Sequence, residues 1–532
     1  MNIISERGIG KQVALNTVFN YLKLFVQIIT SLFLTRIIYF NLGSENYGFW
    51  QLLWMVFGYA LLLDFGFGIS MQKYAAEYTV SKDVHKLNAQ LSSVIVTYIL
   101  IALVIIVLTL CTTPFIDDIF ILNKGGESFD LSYYKLVFAV FGIGAGIAFP
   151  FGVFAEIVHG LGRNDLRSVC SIGVTLVNYL GIYLVFEYGW SLLTLTVFSL
   201  SLNIFVSFIY LFITYKAIPG LCISFRLFSF EQIRSVASFS IFAYMTMFSK
   251  RVIFKTDQIL LGIMLGMPSV AIYHISSRLS MLMSNLSTRF QENLAPVAAA
   301  LYKTGDMEKL RWILLKSNRL AVFITTGVFI TFFMLHKPIL YFWLEITDSD
   351  KGAYSIAMIM LVSIFILTLF RSASDRFMFM ANQHKYLAGV SVVEAALNII
   401  CSITFIRIWG IVGVAWGTFV PNTFVSLFIF FPLMCKFSGF SKRYFIVKVY
   451  LPVFLIALPS CAVMWWMTHQ IFPITDLTQW AGKLGFLKLS MCSGIGGFVY
   501  ILLGWKFILR SDEKTKIVSK VITTFGKGRA GV

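Results

Sequence analysis

Charge is scarce in this 532-residue chain: Asp, Glu, Lys and Arg make up 13% of it, against about 25% in an average soluble domain. That leaves little material for a water-facing domain. Acids are scarcer still, 25 against 43 bases, for a formal net charge of +18. A basic excess can mark a nucleic-acid partner, but here Lys and Arg are dispersed through short connections between apolar runs, which excludes that reading. Seven Cys (111, 170, 222, 401, 435, 461, 492) are scattered in or beside apolar runs. With no CxxC and no Cys/His cluster, neither a disulfide framework nor a metal site is expected. There is no GxxxxGK[ST] phosphate loop, no GxGxxG after a strand, no HExxH and no GxSxG. A nucleotide-driven pump and the common hydrolases are therefore excluded. No large loop bears the acid pairs of a membrane glycosyltransferase. The chain is expected to move something without transforming it and to need no cofactor.

What is abundant is apolar. Hydrophobic residues make up 58% of the chain, 53 of them Phe. A membrane helix takes about 20 such residues. The pattern predicts an all-α integral membrane protein of about fourteen transmembrane helices, approximately 13–38, 47–70, 90–112, 134–158, 168–187, 191–214, 239–263, 269–293, 313–335, 353–374, 387–407, 411–434, 446–467 and 484–508. The polar first residues do not resemble a secretory signal. Lys and Arg crowd the even-numbered connections (Lys73, Lys82, Lys86; Arg163, Arg167; Lys303, Lys309, Arg311) and thin out in the odd-numbered ones (Lys124, Lys337, Lys351). The positive-inside rule then puts both termini in the cytoplasm.

Two of these spans are unlike the rest. Residues 238–296 carry Lys250, Arg251, Lys255, Asp257, His274, Arg278, Arg289 and Glu292. A charge at bilayer depth costs about 2.5–3.5 kcal/mol on insertion scales, so it is kept where it faces water or a polar cargo. Ser240, Tyr244, Met247, Arg251, Lys255 and Gln258 recur at helical steps; so do His274, Arg278, Asn285, Arg289 and Glu292. Arg251 and Arg278 fall near the middle of their spans. A guanidinium keeps its charge and offers a planar fork to phosphate. The first span has a matching polar stripe, Asn16, Asn20, Lys23, Gln27 and Thr30. We expect Lys23, Arg251, Lys255 and Arg278 to bind an anionic substrate. Asn16, Asn20, Gln27, His274 and Asn285 should line the same polar path. Asn and Gln can instead join helices to one another.

Three carboxylates lie at other depths: Asp64, Glu156 and Glu394. Each could couple transport to H+ or Na+, or be held in an internal ion pair; both readings stay open from sequence. Leu42-Gly43 followed by Tyr47-Gly48 corresponds to Leu265-Gly266 followed by Val270-Ala271, 223 residues on, and Asn178 corresponds to Asn398, 220 on. The common offset suggests two parallel six-helix bundles. The expected layout is an N-terminal lobe at 1–220, a C-terminal lobe at 221–437, and two extra helices with a basic tail at 438–532, with the substrate path between the lobes.

The basic N-terminus, the polar first span and LGSENYGFWQLLWMVFGYALLLDFGFG, with LG, then Tyr47-Gly48, then Asp64-x-Gly66, resemble the bacterial polysaccharide transporter family. This family of O-antigen and capsule repeat-unit flippases belongs to the superfamily that also holds multidrug extruders and the lipid II flippase. The resemblance implies alternating-access translocation of polyprenyl-pyrophosphate-linked oligosaccharide through a cationic cavity at the cytoplasmic (inner) membrane. The implied setting is O-antigen, capsule or exopolysaccharide biosynthesis. Implied partners are the lipid-linked oligosaccharide, membrane lipids, a polysaccharide polymerase and a chain-length regulator, and no nucleic acid. A cation-coupled multidrug or metabolite exporter is the alternative, and a membrane glycosyltransferase or ligase a further one.

Overall fold

The computed structural model describes residues 6–122, 130–292, 301–302, 304–347, 350, 352–380 and 384–508. Among them there is no strand. Eleven helices are long and apolar enough to cross a bilayer. Their outward faces remain apolar: Leu103, Val104, Val107 and Leu108 are all exposed, as a helix solvated by lipid requires. The all-α membrane architecture expected from sequence is what the chain forms. One of the eleven, 22–64, overlaps both of the first two expected spans. The two polar spans at 239–263 and 269–293 form helices but are not among the eleven.

By contacts the chain divides into two compact units, Met1–His274 and Ile275–Val532. In the first, α1 (Glu6–Ala60) bends at Gly43, whose φ of 71° and ψ of 173° are accessible only to glycine. The helix ends near Asp64, and α2 (Phe67–Ser81) starts after a turn at Phe65–Gly66. There follow α3 (Val84–Thr112), capped by Asp83 on the Lys86 N–H at 3.0 Å, α4 (Leu131–Ala148), α5 (Gly152–Gly160), α6 (Asn164–Glu187) and α7 (Leu192–Ala217). Helix α1 packs on α6, α2 on α5, and α3 and α7 on α4.

The polar helix α8 (Phe230–Met264) lies against α1, α2 and α3, and α9 (Met267–Ser276) follows it. The contact with α1 is close. A Cβ on Gly48 would stand 1.9 Å from the Met267 carbonyl oxygen, so only glycine fits. Tyr47, Phe49, Leu52 and Leu53 are buried alongside. The Ile121 N–H donates to the Gly262 carbonyl at 3.0 Å.

The second unit holds α10 (Arg278–Glu292), α11 (Met307–Leu344), α12 (Ala353–Met380), α13 (His384–Trp409), α14 (Ile411–Phe424), α15 (Phe431–Ser438), α16 (Leu451–Trp466) and α17 (Gly482–Phe507). The expected span at 269–293 is thus broken at Ser277, into α9 and α10. Helix α11 packs on α12, α16 and α17. Helices α13 and α14 meet through Gly413 and Gly417, a small-xxx-small pair. A Cβ at Gly413 would lie 2.0 Å from the Phe405 carbonyl oxygen, and one at Gly417 2.4 Å from the Ser402 hydroxyl. Three turns of π-helix, Val425–Phe430, Ile446–Tyr450 and Met467–Ile471, interrupt the α-geometry of this unit.

Candidate functional site

Arg251 sits on α8, half-buried. Its Nη1 donates to the Gly58 carbonyl of α1 at 3.0 Å. Tyr59 bonds the Thr256 hydroxyl at 2.6 Å, one turn further along α8. The bond to Gly58 uses one of five guanidinium N–H donors and fixes the group's position. Lys23 and Lys255 are half-buried in the same unit, and each is in contact with a partner. His274 is buried, with Nδ1 at 2.8 Å from the Tyr47 hydroxyl. That joins α9 to α1, a structural use of an expected lining residue. Gln27 Nε2 donates to the Ser171 hydroxyl on α6 at 3.3 Å, so it joins two helices as Gln does in bilayers. The side chains of Asn16 and Asn20 lie outside the described residues. Arg278 and Asn285 belong to the second unit, Arg278 half-buried and in contact with a partner, Asn285 exposed.

The carboxylates have distinct surroundings. Asp64 Oδ1 accepts from the Gly68 N–H at 3.0 Å and from the Tyr98 hydroxyl. It stands at the start of α2, where the helix dipole favours a negative charge. Glu156 is its neighbour: a Cβ on Gly68 would lie 3.4 Å from Asp64 Oδ2 and 3.4 Å from Glu156 Cγ. Glu156 Oε1 accepts from Arg167 Nη2 at 3.1 Å, and its Oε2 is 3.7 Å from His159 Nδ1. Two acids, a guanidinium, an imidazole and a phenol therefore gather where α2, α3, α5 and α6 meet. Sequence reasoning found both acids but not Tyr98 or Arg167, whose only signal was a polar tip inside or beside an apolar run.

Glu394 is held differently. It is 2% exposed, and its Oε2 accepts from Arg371 Nη1 at 2.7 Å. Arg371, 6% exposed, also donates through Nε to the Ser426 hydroxyl at 2.8 Å and through Nη2 to the Asn422 carbonyl at 3.2 Å, and lies 4.5 Å from the Phe430 ring centre. Asn422 Nδ2 in turn donates to the Ser363 carbonyl at 2.7 Å. Of the two sequence readings of Glu394, this geometry favours the internal pair. Among the described residues no three His, Cys, Asp or Glu side chains gather in a way that could hold a metal.

The fold is shared with known membrane proteins. A structure titled "Lipid II flippase MurJ, inward closed conformation" superposes with a TM-score of 0.68 at 18% identity, covering 93% of this chain and 100% of that one. An inward-facing multidrug resistance MATE family transporter of the MOP superfamily gives 0.64 at 18% identity, covering 79% and 98%. A MOP superfamily transporter from Pyrococcus furiosus, titled for the reverse polarity of its binding pocket, gives 0.58 at 16%, covering 81% and 96%. No curated protein sequence matches the chain. The architecture is therefore that of the MOP transporters and flippases. A family model described as "Polysaccharide biosynthesis protein" matches residues 9–301, more than half of the chain, and the chain belongs to that family.

Proposed function

We propose that this protein flips polyprenyl-pyrophosphate-linked oligosaccharide repeat units across the bacterial cytoplasmic membrane by alternating access, for O-antigen, capsule or exopolysaccharide assembly. The lipid tails stay in the bilayer while the pyrophosphate and sugars cross a polar path. The observation that carries this reading is the braced guanidinium of Arg251 on a helix too polar for the apolar set. An immobilised, permanently charged fork suits a phosphate oxygen. Arg251 and Arg278 are each assigned a phosphate-binding role, Lys23 and Lys255 add positive charge, and Asn16, Asn20 and Asn285 serve the sugar hydroxyls. In this reading the chain spans the membrane fourteen times, both termini are cytoplasmic, and it acts as a carrier with no enzymatic step. A polymerase and a chain-length regulator receive its product.

We further assign H+ or Na+ coupling to the Asp64–Glu156 pair, with Asp64 as the titrating acid beside the Arg167-paired Glu156, and not to Glu394, which is 2% exposed and held by Arg371. The same acidic pair is the observation that favours the second reading, a cation-coupled exporter of drugs or metabolites.

The test is the lipid-linked oligosaccharide pool of Arg251→Ala and Arg278→Ala strains, its sidedness probed with an impermeant sugar-directed reagent. The expected result is oligosaccharide trapped on the cytoplasmic face and loss of surface glycan, with the protein still in the membrane. Wild-type surface glycan in both strains removes the site assignment. A deletion strain with normal glycan but raised drug sensitivity establishes the exporter instead.

A further inference from the structure

A polar groove lies at the α2–α3 hairpin of the first unit, on residues to which the flippase reading gives no role. Only Lys82 and Asp83 join the two helices. Between the last two turns of α2 and the first two of α3 opens a groove of about 390 Å³. Glu77 and Tyr78 line it from α2, Asp83 from the turn, and Lys86, Leu87 and Gln90 from α3. The turn is braced. The Asp83 N–H donates to Ser81 Oγ at 3.3 Å, Asp83 Oδ1 accepts from the Lys86 N–H at 3.0 Å, and the Lys82 N–H donates to the Tyr78 carbonyl at 2.9 Å. Just past Gln90, the side chains of Leu91, Ser92 and Ser93 are fully buried, and α3 continues as Val94-Ile95-Val96. Gln90 therefore stands where the hydrocarbon layer begins, and the groove opens at headgroup depth.

Two of its polar groups have no use within the fold. Gln90 is 3% exposed and Tyr78 9%. Among the described residues the Gln90 amide and the Tyr78 hydroxyl make no hydrogen bond. Burying such groups without a partner is unfavourable, and Leu and Phe would fill the same space without that cost. Gln90 offers two N–H donors and a carbonyl acceptor, and the Tyr78 hydroxyl both donates and accepts. The charges beside them are already engaged. Glu77 has Lys73 Nζ at 3.6 Å and Lys86 Nζ at 4.0 Å, and Asp83 caps α3. With two carboxylates to one ammonium in its lining, the groove does not suit a phosphate. With both carboxylates occupied, it does not suit a metal ion. An apolar occupant would leave the amide and the phenol unsatisfied. What fits is an uncharged molecule that donates and accepts hydrogen bonds together and turns a C–H edge to Leu87. A sugar ring has that chemistry. The groove holds the volume of about a dozen waters, enough for one ring with its hydroxyls.

We propose that this groove binds a sugar ring of the lipid-linked oligosaccharide before it enters the path, with Gln90 and Tyr78 as the hydrogen-bonding groups. The proposal rests on the flippase reading, which puts the basic α2–α3 connection in the cytoplasm. Sugars carried on a polyprenyl pyrophosphate hang at headgroup depth, level with the groove.

The test uses the full chain, purified in a detergent without a sugar headgroup. The probe is the oligosaccharide released by mild acid from the lipid-linked pool of the deletion strain, freed of lipid and pyrophosphate. Its binding is measured by isothermal titration calorimetry to wild type, Gln90→Leu and Tyr78→Phe. Thr79→Val, which removes an exposed hydroxyl of the same hairpin outside the groove, is the control. Both groove variants should melt at or above the wild-type temperature, since the groups they delete hold nothing in the fold. Binding should weaken about fivefold in Tyr78→Phe and about tenfold in Gln90→Leu, with Thr79→Val unchanged. No binding by wild type, or binding that both groove variants retain, overturns the proposal; a pool still trapped on the cytoplasmic face then leaves the flippase reading standing. A lower melting temperature in both variants gives the two groups a structural role and also overturns it. A deletion strain with no trapped pool removes the flippase reading, and the proposal with it.

Discussion

Removing Arg371 should damage the second unit more than any single change at an expected binding residue. The guanidinium makes an ion pair at 2.7 Å, two further hydrogen bonds at 2.8 and 3.2 Å, and a ring contact at 4.5 Å. Arg371→Ala deletes all four and leaves the Glu394 carboxylate, 2% exposed, without its counter-charge. Breaking a buried pair from one side costs about 3–5 kcal/mol. At roughly 2–4 °C per kcal/mol for a unit of this size, the melting temperature should fall by about 10 °C. The assay is thermal unfolding in detergent, followed by size-exclusion of the remaining monodisperse protein. Glu394→Gln keeps an oxygen for Arg371 but loses the charge, and should fall between the two. Arg371→Leu/Glu394→Leu removes both charges and should recover most of the loss, since a buried pair is often replaceable by apolar residues. The decisive comparison is transport per folded molecule. If Glu394→Gln abolishes translocation while its unfolding matches wild type, Glu394 is a coupling group and the structural assignment fails.

Three further outcomes are expected. Asp64→Asn and Glu156→Gln should flatten the dependence of translocation on pH or on sodium while leaving the protein folded; an unchanged dependence in both removes the coupling assignment. Gly48→Ala should cost about 1–3 kcal/mol by overpacking, because its Cβ would meet backbone at 1.9 Å; an unaltered melting temperature refutes the α1–α9 contact. Gly43→Ala forces a side chain into a backbone region that only glycine favours, at about 1–3 kcal/mol, and should lower the yield of folded protein, whereas Gly162→Ala provides a loop control also at positive φ.

The hydropathy of the chain announces its spans because a bilayer leaves a helix no other way to satisfy its backbone. The polar character of α8 and α10 was legible for the same reason. What pairs with what was not. Gln27 looked like part of a lining stripe, yet it bonds Ser171 across 144 positions. His274 followed the spacing of Arg278, yet it is bound to Tyr47. Helical periodicity assigns a face and gives no information on which neighbour covers it. The spacing around Glu394 does not single out Arg371, 23 positions away, as its partner. The break at Ser277 also escaped a window-based span, since both sides of it remain helical.

The division of the chain after His274 bears on how the protein is made. Helices α8 and α9 complete the first unit: the Gly48–Met267 approach, the Tyr47–His274 bond and the Arg251–Gly58 bond all tie residues near position 50 to residues beyond 250. During synthesis the first seven helices must therefore wait in the membrane with a polar-faced partner still missing. Only when about half of the chain has emerged can α1 close on α8 and α9. A polypeptide cut at 220 would lack the helices that finish its own fold, whereas one cut just past 274 carries every contact named here for that unit. Split expression of the gene at these two points would show which of the two fragments folds by itself.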